Sequence, residues 1–440
     1  MLHNLNYRFK ENLMTIFVEP IPDPGQVPEL KQLLAHKDDA EFVDLLEKSL
    51  RAAQDKASKE LNPDLFKAIP FGTGKWPTTF DEYAEFLVKF SHWIPQQSID
   101  PVWTAPGNPQ GEHQEIYDHL CFFYWLIDQP ILPDEGVLQH YEWFEEFLVK
   151  YANLWGSILD TTDSFNAKIL ESFIKLSPEY RVQDSMIGDP PRPNNPSGWL
   201  TFNQFFAREL NPGLRPIANP SDNTTVVVPA DCTYRRFYKI DANSNIEPKI
   251  TIKGTHTFAN VNDLLRGSAY KDRFANGYFV HLFLGPYSYH RFHTPVSGVV
   301  MECYPLTGQV YLKVEIAGPN PGEPGDQFRA YDLSTDGYEF QQARGVLTID
   351  TSGSPDGDVG IVAVVPVGMC QVSGVNMIHE AGKECRKGDE FGYFTFGGSD
   401  IIILFQEGAD PQYNQEFFAV EGPPYSHYGT KLATVSRRSG

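Results

Sequence analysis

The stretch that decides the fold and the chemistry of this chain is Phe396-Gly397-Gly398-Ser399, which leads into the apolar run Ile401-Ile402-Ile403-Leu404-Phe405. A serine stands directly after two glycines, in a tight turn that opens into a predicted strand. Glycine adopts backbone conformations that are closed to other residues, so the Ser399 hydroxyl could closely approach the Gly398 carbonyl. This arrangement suits attack by Ser399 on its own preceding peptide bond. Because Gly-Gly-Ser also describes an ordinary turn, the rest of the chain has to decide between the two interpretations.

Size and charge limit the classes of protein that the chain can belong to. It has 440 residues, of which 41% are hydrophobic, and this length predicts two or three domains. With 36 basic and 57 acidic residues, the formal net charge is −21. Bulk electrostatics therefore argue against partners such as nucleic acid or an anionic membrane surface.

Cysteine usage and hydropathy indicate the compartment. The five cysteines are scattered and none is in Cys-x-x-Cys spacing, which favours reduced thiols over disulfides or a zinc site. The N-terminal residues have no continuous apolar segment typical of a signal peptide, and no run is long enough to span a membrane. We expect a soluble, cytoplasmic protein without stable membrane insertion.

The N-terminal part of the chain is predicted to be helical. Thr79 and Glu82 form a capping-box pattern, and apolar residues then follow at helical spacing up to Ile94. Further helices are predicted over 40–53, 115–128, 137–155 and 164–176, several of them ended by proline. Their aromatic stripes are most simply contacts between helices.

The sequence pattern changes after a Pro-, Gly- and Asn-rich stretch at 181–198, which is predicted to be a linker. Beyond it, short β-branched runs alternate with turns, and a Gly- and Pro-rich loop is predicted at 318–326. The predicted strands are 225–228, 250–252, 278–284, 298–301, 310–314, 346–349, 360–367 and 401–405. The fold class is therefore α+β: a helical N-terminal domain over 1–180 and a mainly β domain over 199–440.

Three clusters in the β domain could carry chemistry. They are Asp231 after an apolar run, His290 and His293 three residues apart, and Ser399 after its glycines. An aspartate, a histidine and a serine suffice for a general-base triad, and triads are identified by geometry and not by their order in the chain.

Each cluster also has a simpler interpretation. Asp231 could cap a turn, and the two histidines could be packing residues or half of a metal site that has no obvious further ligands. We therefore expect no metal. A conventional serine hydrolase stays possible, although Ser399 is not in a Gly-x-Ser-x-Gly motif.

Several motifs taken together resemble the phosphatidylserine decarboxylase family over residues 199–440. In order, they are Phe202-Asn203-Gln204-Phe205-Phe206-Ala207-Arg208, Arg215-Pro216, Pro229-Ala230-Asp231, Lys253-Gly254, the run from Tyr289 to Gly298, Val367-Gly368, and Lys387 to Phe394 leading into Gly397-Gly398-Ser399. Their number and order make the resemblance specific.

The resemblance implies a self-processing enzyme whose cofactor is a covalent pyruvoyl group made from Ser399. Asp231, His293 and Ser399 would form the processing triad. Cleavage between Gly398 and Ser399 would give a β chain that ends at Gly398 and an α chain of residues 399–440. An amino-acid group would then lose its α-carboxylate through an imine with the pyruvoyl group, and His290 would reprotonate the carbon.

The substrate is less well defined by the resemblance. The helical N-terminal domain is similar to that of a soluble branch that includes an L-tryptophan decarboxylase, and neither a membrane segment nor a basic amphipathic helix is evident. We therefore favour a free L-amino acid, with an aromatic one such as tryptophan as a candidate. Phosphatidylserine decarboxylation to phosphatidylethanolamine, an unprocessed binding protein and a Ser-His-Asp hydrolase stay as alternatives. The family also implies a homodimer.

Two residues depart from the family pattern near the proposed triad. Asp400 follows Ser399 where threonine is common, and Cys232 follows Asp231 where glycine is common. The Asp400 carboxylate could alter the rate of processing, and the bulk of Cys232 has no explanation in the sequence. Neither change removes a residue with an implied role, so we expect activity.

Overall fold

A computed structural model gives the architecture of the chain. The structure describes residues 16–70, 75–97, 100–103, 114–133, 136–252, 256–317, 325, 327–330, 340–369, 374–418 and 425–438.

The first part of the chain is helical, as predicted. Its α-helices are α1 (Lys31–Ala35), α2 (Ala40–Glu60), α3 (Pro63–Ala68), α4 (Phe80–His92), α5 (Glu115–Trp125), α6 (Glu142–Leu159) and α7 (Ala167–Leu176). Helix α2 runs beyond the predicted end at residue 53, because Ala57 continues its buried face. At the start of α4, the Thr79 side chain accepts a hydrogen bond from the Glu82 N–H, as predicted. The Glu82 carboxylate binds the Thr78 N–H, one residue earlier than a capping box requires.

The second part is mainly β, which confirms the predicted fold class. Two short helices, α8 (Phe202–Phe206) and α9 (Val261–Leu264), accompany its strands. The strands are β1 (Met186–Ile187), β2 (Arg192–Pro193), β3 (Thr225–Val227), β4 (Cys232–Lys239), β5 (Asn245–Ile252), β6 (His256–Asn260), β7 (Tyr278–Leu284), β8 (Arg291–His293), β9 (Gly298–Leu306), β10 (Val314–Ala317), β11 (Gln327–Ala330), β12 (Arg344–Asp350), β13 (Ile361–Met369), β14 (Val375–Met377), β15 (Glu384–Cys385), β16 (Glu390–Phe394), β17 (Gly398–Phe405), β18 (Gln412–Tyr413), β19 (Tyr425–Ser426) and β20 (Lys431–Thr434).

An antiparallel eight-stranded sheet forms the centre of the β region, in the order β15-β9-β12-β13-β17-β7-β4-β19. Two three-stranded sheets, β14-β16-β8 and β18-β20-β3, lie beside it. Strand β17 pairs with β13 on one side and β7 on the other. Its residues alternate between two cores, with Ile401, Ile403 and Phe405 in one and Ile402 and Leu404 in the other. Burial on both faces explains why this strand reads as an uninterrupted apolar run.

The helical and β regions share one core, which occupies the Ile401 face of the sheet. The β10–β11 hairpin packs against α5, where the Asp118 carboxylate accepts the Phe328 N–H at 2.8 Å. The Asp128 carboxylate accepts the Val314 N–H at 2.9 Å. Two carboxylates on the helical side thus satisfy backbone donors of the hairpin, which ties the two regions together.

Three predicted segments differ from the structure or lie outside its described part. The run at 310–314 is not a strand, because only Val314 joins β10 and the preceding residues pack on the helical region. The stretch at 181–198 contains a short 3-10 helix and the paired strands β1 and β2. The loop predicted at 318–326 lies outside the described residues, apart from Gly325.

Within the described ranges, every helix is too short or too polar to cross a bilayer.

Substitution of Trp155 in α6 tests how much the shared core contributes to stability. Its indole is fully buried, donates a hydrogen bond to the Trp93 carbonyl at 3.0 Å and meets the Phe396 ring edge-on. Trp155→Ala should lower the free energy of unfolding by about 3–5 kcal/mol, measured by urea denaturation. Trp155→Phe, which keeps a ring there, should cost less. A loss below about 1 kcal/mol for the alanine variant would show that the two regions do not depend on this contact.

Candidate active site

Ser399 lies near the start of the central strand β17. Its Cα is paired with Gly368 of β13 and with Leu284 of β7. The side chain is fully buried, and within the described residues its Oγ has no hydrogen-bond partner. A buried hydroxyl normally finds a partner, so its isolation needs an explanation, and a reactive role is one.

The residues before Ser399 are held tightly. Gly397 has φ +151°, a conformation that L-residues with a side chain rarely adopt. The Phe396 N–H donates to Asn203 Oδ1 at 3.0 Å. The amide nitrogen of Asn203 in turn donates to the carbonyl of Gly156 and to Asp160 Oδ1, at 3.1 and 3.0 Å. Asn203 therefore fixes the approach to the Gly398-Ser399 bond against the end of α6.

Asp231 follows β3 and is buried with its charge compensated. Arg215 donates to both carboxylate oxygens, from Nη2 at 2.6 Å and from Nε at 3.1 and 3.2 Å. His427 Nδ1 lies 3.0 Å from Oδ2, and the Tyr428 N–H donates to Oδ1 at 2.8 Å. Burial alone would raise the pKa of Asp231, but the hydrogen bonds from His427 and Arg215 outweigh it and hold the pKa below its usual value.

His293, at the end of β8, has one ring nitrogen suited to accept a proton. Its Nδ1 lies 2.9 Å from the Gly388 carbonyl, which can only accept, so Nδ1 carries the hydrogen. Its Nε2 then accepts from the Tyr289 hydroxyl at 3.2 Å. Burial lowers the pKa of His293 to about 4, although the bond to Gly388 opposes this shift. The imidazole is therefore neutral near pH 7, as a general base must be.

His290 lies in a more apolar environment. Its fully buried ring stacks on Phe206 at a centroid distance of 3.9 Å. In the described part of the chain, neither ring nitrogen has a hydrogen-bond partner. Burial, together with the positive charge of Arg208, lowers the pKa of His290 to about 3. This residue is a second neutral imidazole whose ring nitrogens are available for a ligand.

The four residues singled out in the sequence lie at the starts of β4 and β17 and at either end of β8, and no hydrogen bond joins any two of them. Asp231 and His293 are connected through Tyr428, whose N–H binds the carboxylate. The Tyr428 ring lies parallel to the imidazole of His293, with centroids 3.9 Å apart. Ser399 is related to His290 through packing, because the Phe206 ring contacts both His290 and Phe396.

The sequence analysis assigned no role to His427, Tyr428 or Arg215, all of which bind Asp231. His427 Nε2 accepts from Arg181 at 3.0 Å while Nδ1 faces Asp231, so both of its nitrogens are occupied. The signal for His427 was the run Tyr425-Ser426-His427-Tyr428-Gly429, in which a histidine between aromatic residues precedes a glycine. The family resemblance did not point to this run.

A polar cavity of about 480 Å³ opens beside the site. Its lining comes from the stretch before α8, from α8 itself and from β8, β14 and β16. The lining residues include Asn194, Trp199, Asn203, Arg208, Arg291, Asn376, Tyr393 and Thr395. Because Asn203 also clamps Phe396, this cavity adjoins the segment that leads to Ser399.

The two departures from the family pattern are accommodated in different ways. The Asp400 side chain points to the sheet face opposite Ser399, and its Oδ1 lies 3.2 Å from His281 Nε2. Its carboxylate is therefore kept off the face that carries the serine. Cys232 is fully buried in the shared core, and burial raises the pKa of its thiol far above the usual value.

Over the described ranges, no cluster of three or more His, Cys, Asp or Glu side chains could hold a metal.

Known proteins resemble this chain over its β region. The family model described as phosphatidylserine decarboxylase matches residues 202–423. Phosphatidylserine decarboxylase proenzyme 2 of Oryza sativa subsp. japonica is 34% identical over 244 residues, which cover 56% of this chain and 34% of that protein. Phosphatidylserine decarboxylase proenzyme 3 of Schizosaccharomyces pombe is 36% identical over 211 residues, or 48% of this chain and 19% of that protein.

A shorter relative has a different name. Decarboxylase iboD of Amanita muscaria is 27% identical over 266 residues, which cover 57% of this chain and 73% of that protein. The chain thus spans about a third or less of the length of the rice and fission-yeast relatives, and most of iboD. The family match covers half of the chain and includes Asp231, His290, His293 and Ser399. The chain therefore belongs to the phosphatidylserine decarboxylase family.

Proposed function

We propose that the chain is a self-processing, pyruvoyl-dependent decarboxylase that removes the α-carboxylate of an amino-acid group. The observation that carries this proposal is the Ser399 hydroxyl, which is fully buried, has no partner within the described residues and directly follows two glycines. Proenzymes of the family form a pyruvoyl group from a serine by self-cleavage. Ser399 fits this role because no described residue competes for its oxygen, and because the preceding glycines allow backbone conformations that are closed to other residues.

In the proposed processing, Ser399 Oγ forms a bond to the Gly398 carbonyl carbon as the Gly398–Ser399 amide bond breaks. The resulting ester loses its carboxylate together with the Ser399 α-proton, and hydrolysis of the product releases ammonia and leaves a ketone. The β chain then ends at Gly398. His293 is the proposed base for the serine proton, because its Nε2 accepts a hydrogen bond from the neutral Tyr289 hydroxyl, whereas His427 Nε2 accepts from the charged guanidinium of Arg181.

Once formed, the pyruvoyl group would supply an electron-withdrawing carbonyl that takes up the electron pair left by departing carbon dioxide. The surrounding residues would do the rest. The rings of Phe206 and Phe396 exclude water, and Asn203 holds the segment before the cleavage site. His290, whose ring nitrogens have no hydrogen-bond partner in the described part, would take up a proton in the substrate complex and return it to the substrate carbon.

We infer a free L-amino acid as the preferred substrate, with an aromatic one such as tryptophan as a candidate. The net charge of −21 does not favour an anionic lipid surface, and the cavity beside the site is lined largely by polar side chains. The principal alternative is phosphatidylserine, which appears in the names of most of the relatives compared. An unprocessed binding protein and a serine hydrolase are further alternatives, in both of which Ser399 would stay a serine.

Self-cleavage at Ser399 has a direct test. Ser399→Ala removes the nucleophile, so purified protein should stay a single chain, whereas the parent chain should split between Gly398 and Ser399 on intact mass analysis. Ser177→Ala is a matched control, since Ser177 Oγ is also buried without a partner in the described part but lies in the helical region. A Ser399→Ala protein that still splits at this bond would refute the mechanism.

Substitution of His293 and substitution of His427, the two histidines near Asp231, should slow processing to different extents. His293→Ala removes the proposed base and should slow cleavage by about 10²–10⁴-fold, followed by gel analysis after synthesis in a cell-free system. His427→Ala removes only a support of Asp231 and should slow cleavage by less than about tenfold. Normal cleavage of the His293 variant, or cleavage lost only in the His427 variant, would assign the base differently.

His290 should act after processing. His290→Ala protein is expected to cleave normally but to lose turnover by about 10²–10⁴-fold, measured as carbon dioxide release from L-tryptophan and, separately, from phosphatidylserine vesicles. The parent enzyme in the same two assays identifies the preferred substrate. Unimpaired turnover by fully processed His290→Ala protein would exclude this residue as the proton donor.

A further inference from the structure

Arg208, just after α8, is a buried cation whose hydrogen-bonding capacity is largely unused. Only 3% of the residue is exposed. One terminal nitrogen donates to the Tyr180 carbonyl, and the guanidinium lies over the Phe205 ring at 5.4 Å. Its Nε and Nη1 have no hydrogen-bond partner among the described residues. A guanidinium removed from water normally has its donors satisfied, because an uncompensated buried charge is costly.

Neighbouring arginines show how the chain treats such charges elsewhere. Arg215 is bound to both oxygens of Asp231, and Arg291 is bound to Glu390 Oε1 at 2.6 Å. Arg344, buried in the other core, donates to three carbonyl groups. Compared with these three arginines, Arg208 has donors that no described residue uses, which indicates a position prepared for another group.

The surroundings of Arg208 indicate what that group is. Arg208 lines the polar cavity of about 480 Å³. On its other side lies the candidate reaction centre, since Phe206, two residues earlier, stacks on His290. Arg291, which lines the same cavity, holds this segment in place through a hydrogen bond of 2.8 Å to the Ala207 carbonyl. Arg208 therefore lies between the cavity and the segment that packs on His290.

We propose that Arg208 binds the α-carboxylate of the substrate's amino-acid group through a guanidinium donor that the described residues leave unused. Guanidinium and carboxylate are opposite in charge, and a hydrogen bond between two charged groups is stronger than one between neutral groups. The inference rests on the proposed function for the identity of the substrate. Its chemistry is shared by a free amino acid and by the serine headgroup of phosphatidylserine, because both carry this carboxylate.

The carboxylate is a better partner for Arg208 than the phosphodiester of a lipid. It is attached to the carbon that His290 is proposed to protonate, so an anion site beside His290 meets it first. A phosphodiester lies two further atoms away along the serine side chain. The pair between Arg208 and the carboxylate is broken as carbon dioxide leaves, so it strengthens binding of the ground state without lowering the chemical barrier. Loss of Arg208 should therefore raise KM by about tenfold or more without lowering kcat, because an interaction confined to the ground state does not assist the chemical step.

The test measures binding on the uncut full-length chain, so it does not depend on formation of the cofactor. In a Ser399→Ala background, calorimetry compares L-tryptophan with tryptamine, and glycerophosphoserine with glycerophosphoethanolamine. Each pair differs only by the carboxylate. The acid of at least one pair should bind about tenfold more tightly than its amine, and the pair that shows this preference identifies the source of the carboxylate.

Substitution of Arg208 should then remove this preference selectively. Arg208→Gln should equalise binding of the acid and the amine while changing amine binding by less than about twofold, and Arg208→Lys should retain part of the preference. Asn376→Ala, a neutral change in the same cavity, should leave the preference intact. Circular dichroism confirms that each variant is folded.

Three outcomes would overturn the assignment: no preference for either acid in the parent, an unchanged preference in Arg208→Gln, or equal weakening of acid and amine, which would indicate phosphodiester binding or a structural role. Failure of the proposed function would be seen separately, as an intact Gly398–Ser399 bond in the chain that keeps Ser399.

Discussion

The position of Ser399 in the middle of a sheet that is buried on both faces is the constraint on which the rest of the structure depends. Strand β17 is paired along its length with β13 and β7, so its start cannot move without loss of the central ladder. The Asn203 amide and the surrounding aromatic rings hold Phe396, and Gly397 takes up the backbone change between that clamp and the strand. The serine hydroxyl is thereby kept dry, fixed and without a competing partner within the described residues.

The sheet also separates charges that would interfere with each other. Alternation along β17 places the Asp400 carboxylate on the face opposite Ser399, beside His281. On the face of the shared core, Arg215 neutralises Asp231, and both His290 and His293 have pKa values lowered by burial. This leaves neutral imidazoles for proton transfer and one buried cation, Arg208, whose unused donors point to an anionic substrate.

Periodicity and turn signals predicted the helical and β regions because both depend on local patterns, and β7 was predicted to the residue. The strand predicted at 310–314 was wrong, because the apolar residues of this segment pack against helices that are distant in the sequence. Family motifs led to Asp231, His290, His293 and Ser399. They could not predict that Asp231 would bind His427, since that contact joins residues almost 200 positions apart. The unused donors of Arg208 could not be predicted from the sequence either, because whether a buried donor finds a partner depends on how the chain packs.

The central claim is that the chain cuts itself at Ser399 and keeps the product as its cofactor. The most direct measurement is the intact mass of freshly purified protein under denaturing conditions, before and after treatment with a carbonyl-trapping reagent. The account predicts two chains that meet between Gly398 and Ser399, with the shorter one lacking an amino group at its start and gaining the mass of the reagent. A single chain of unaltered mass, unreactive toward the reagent, would contradict it.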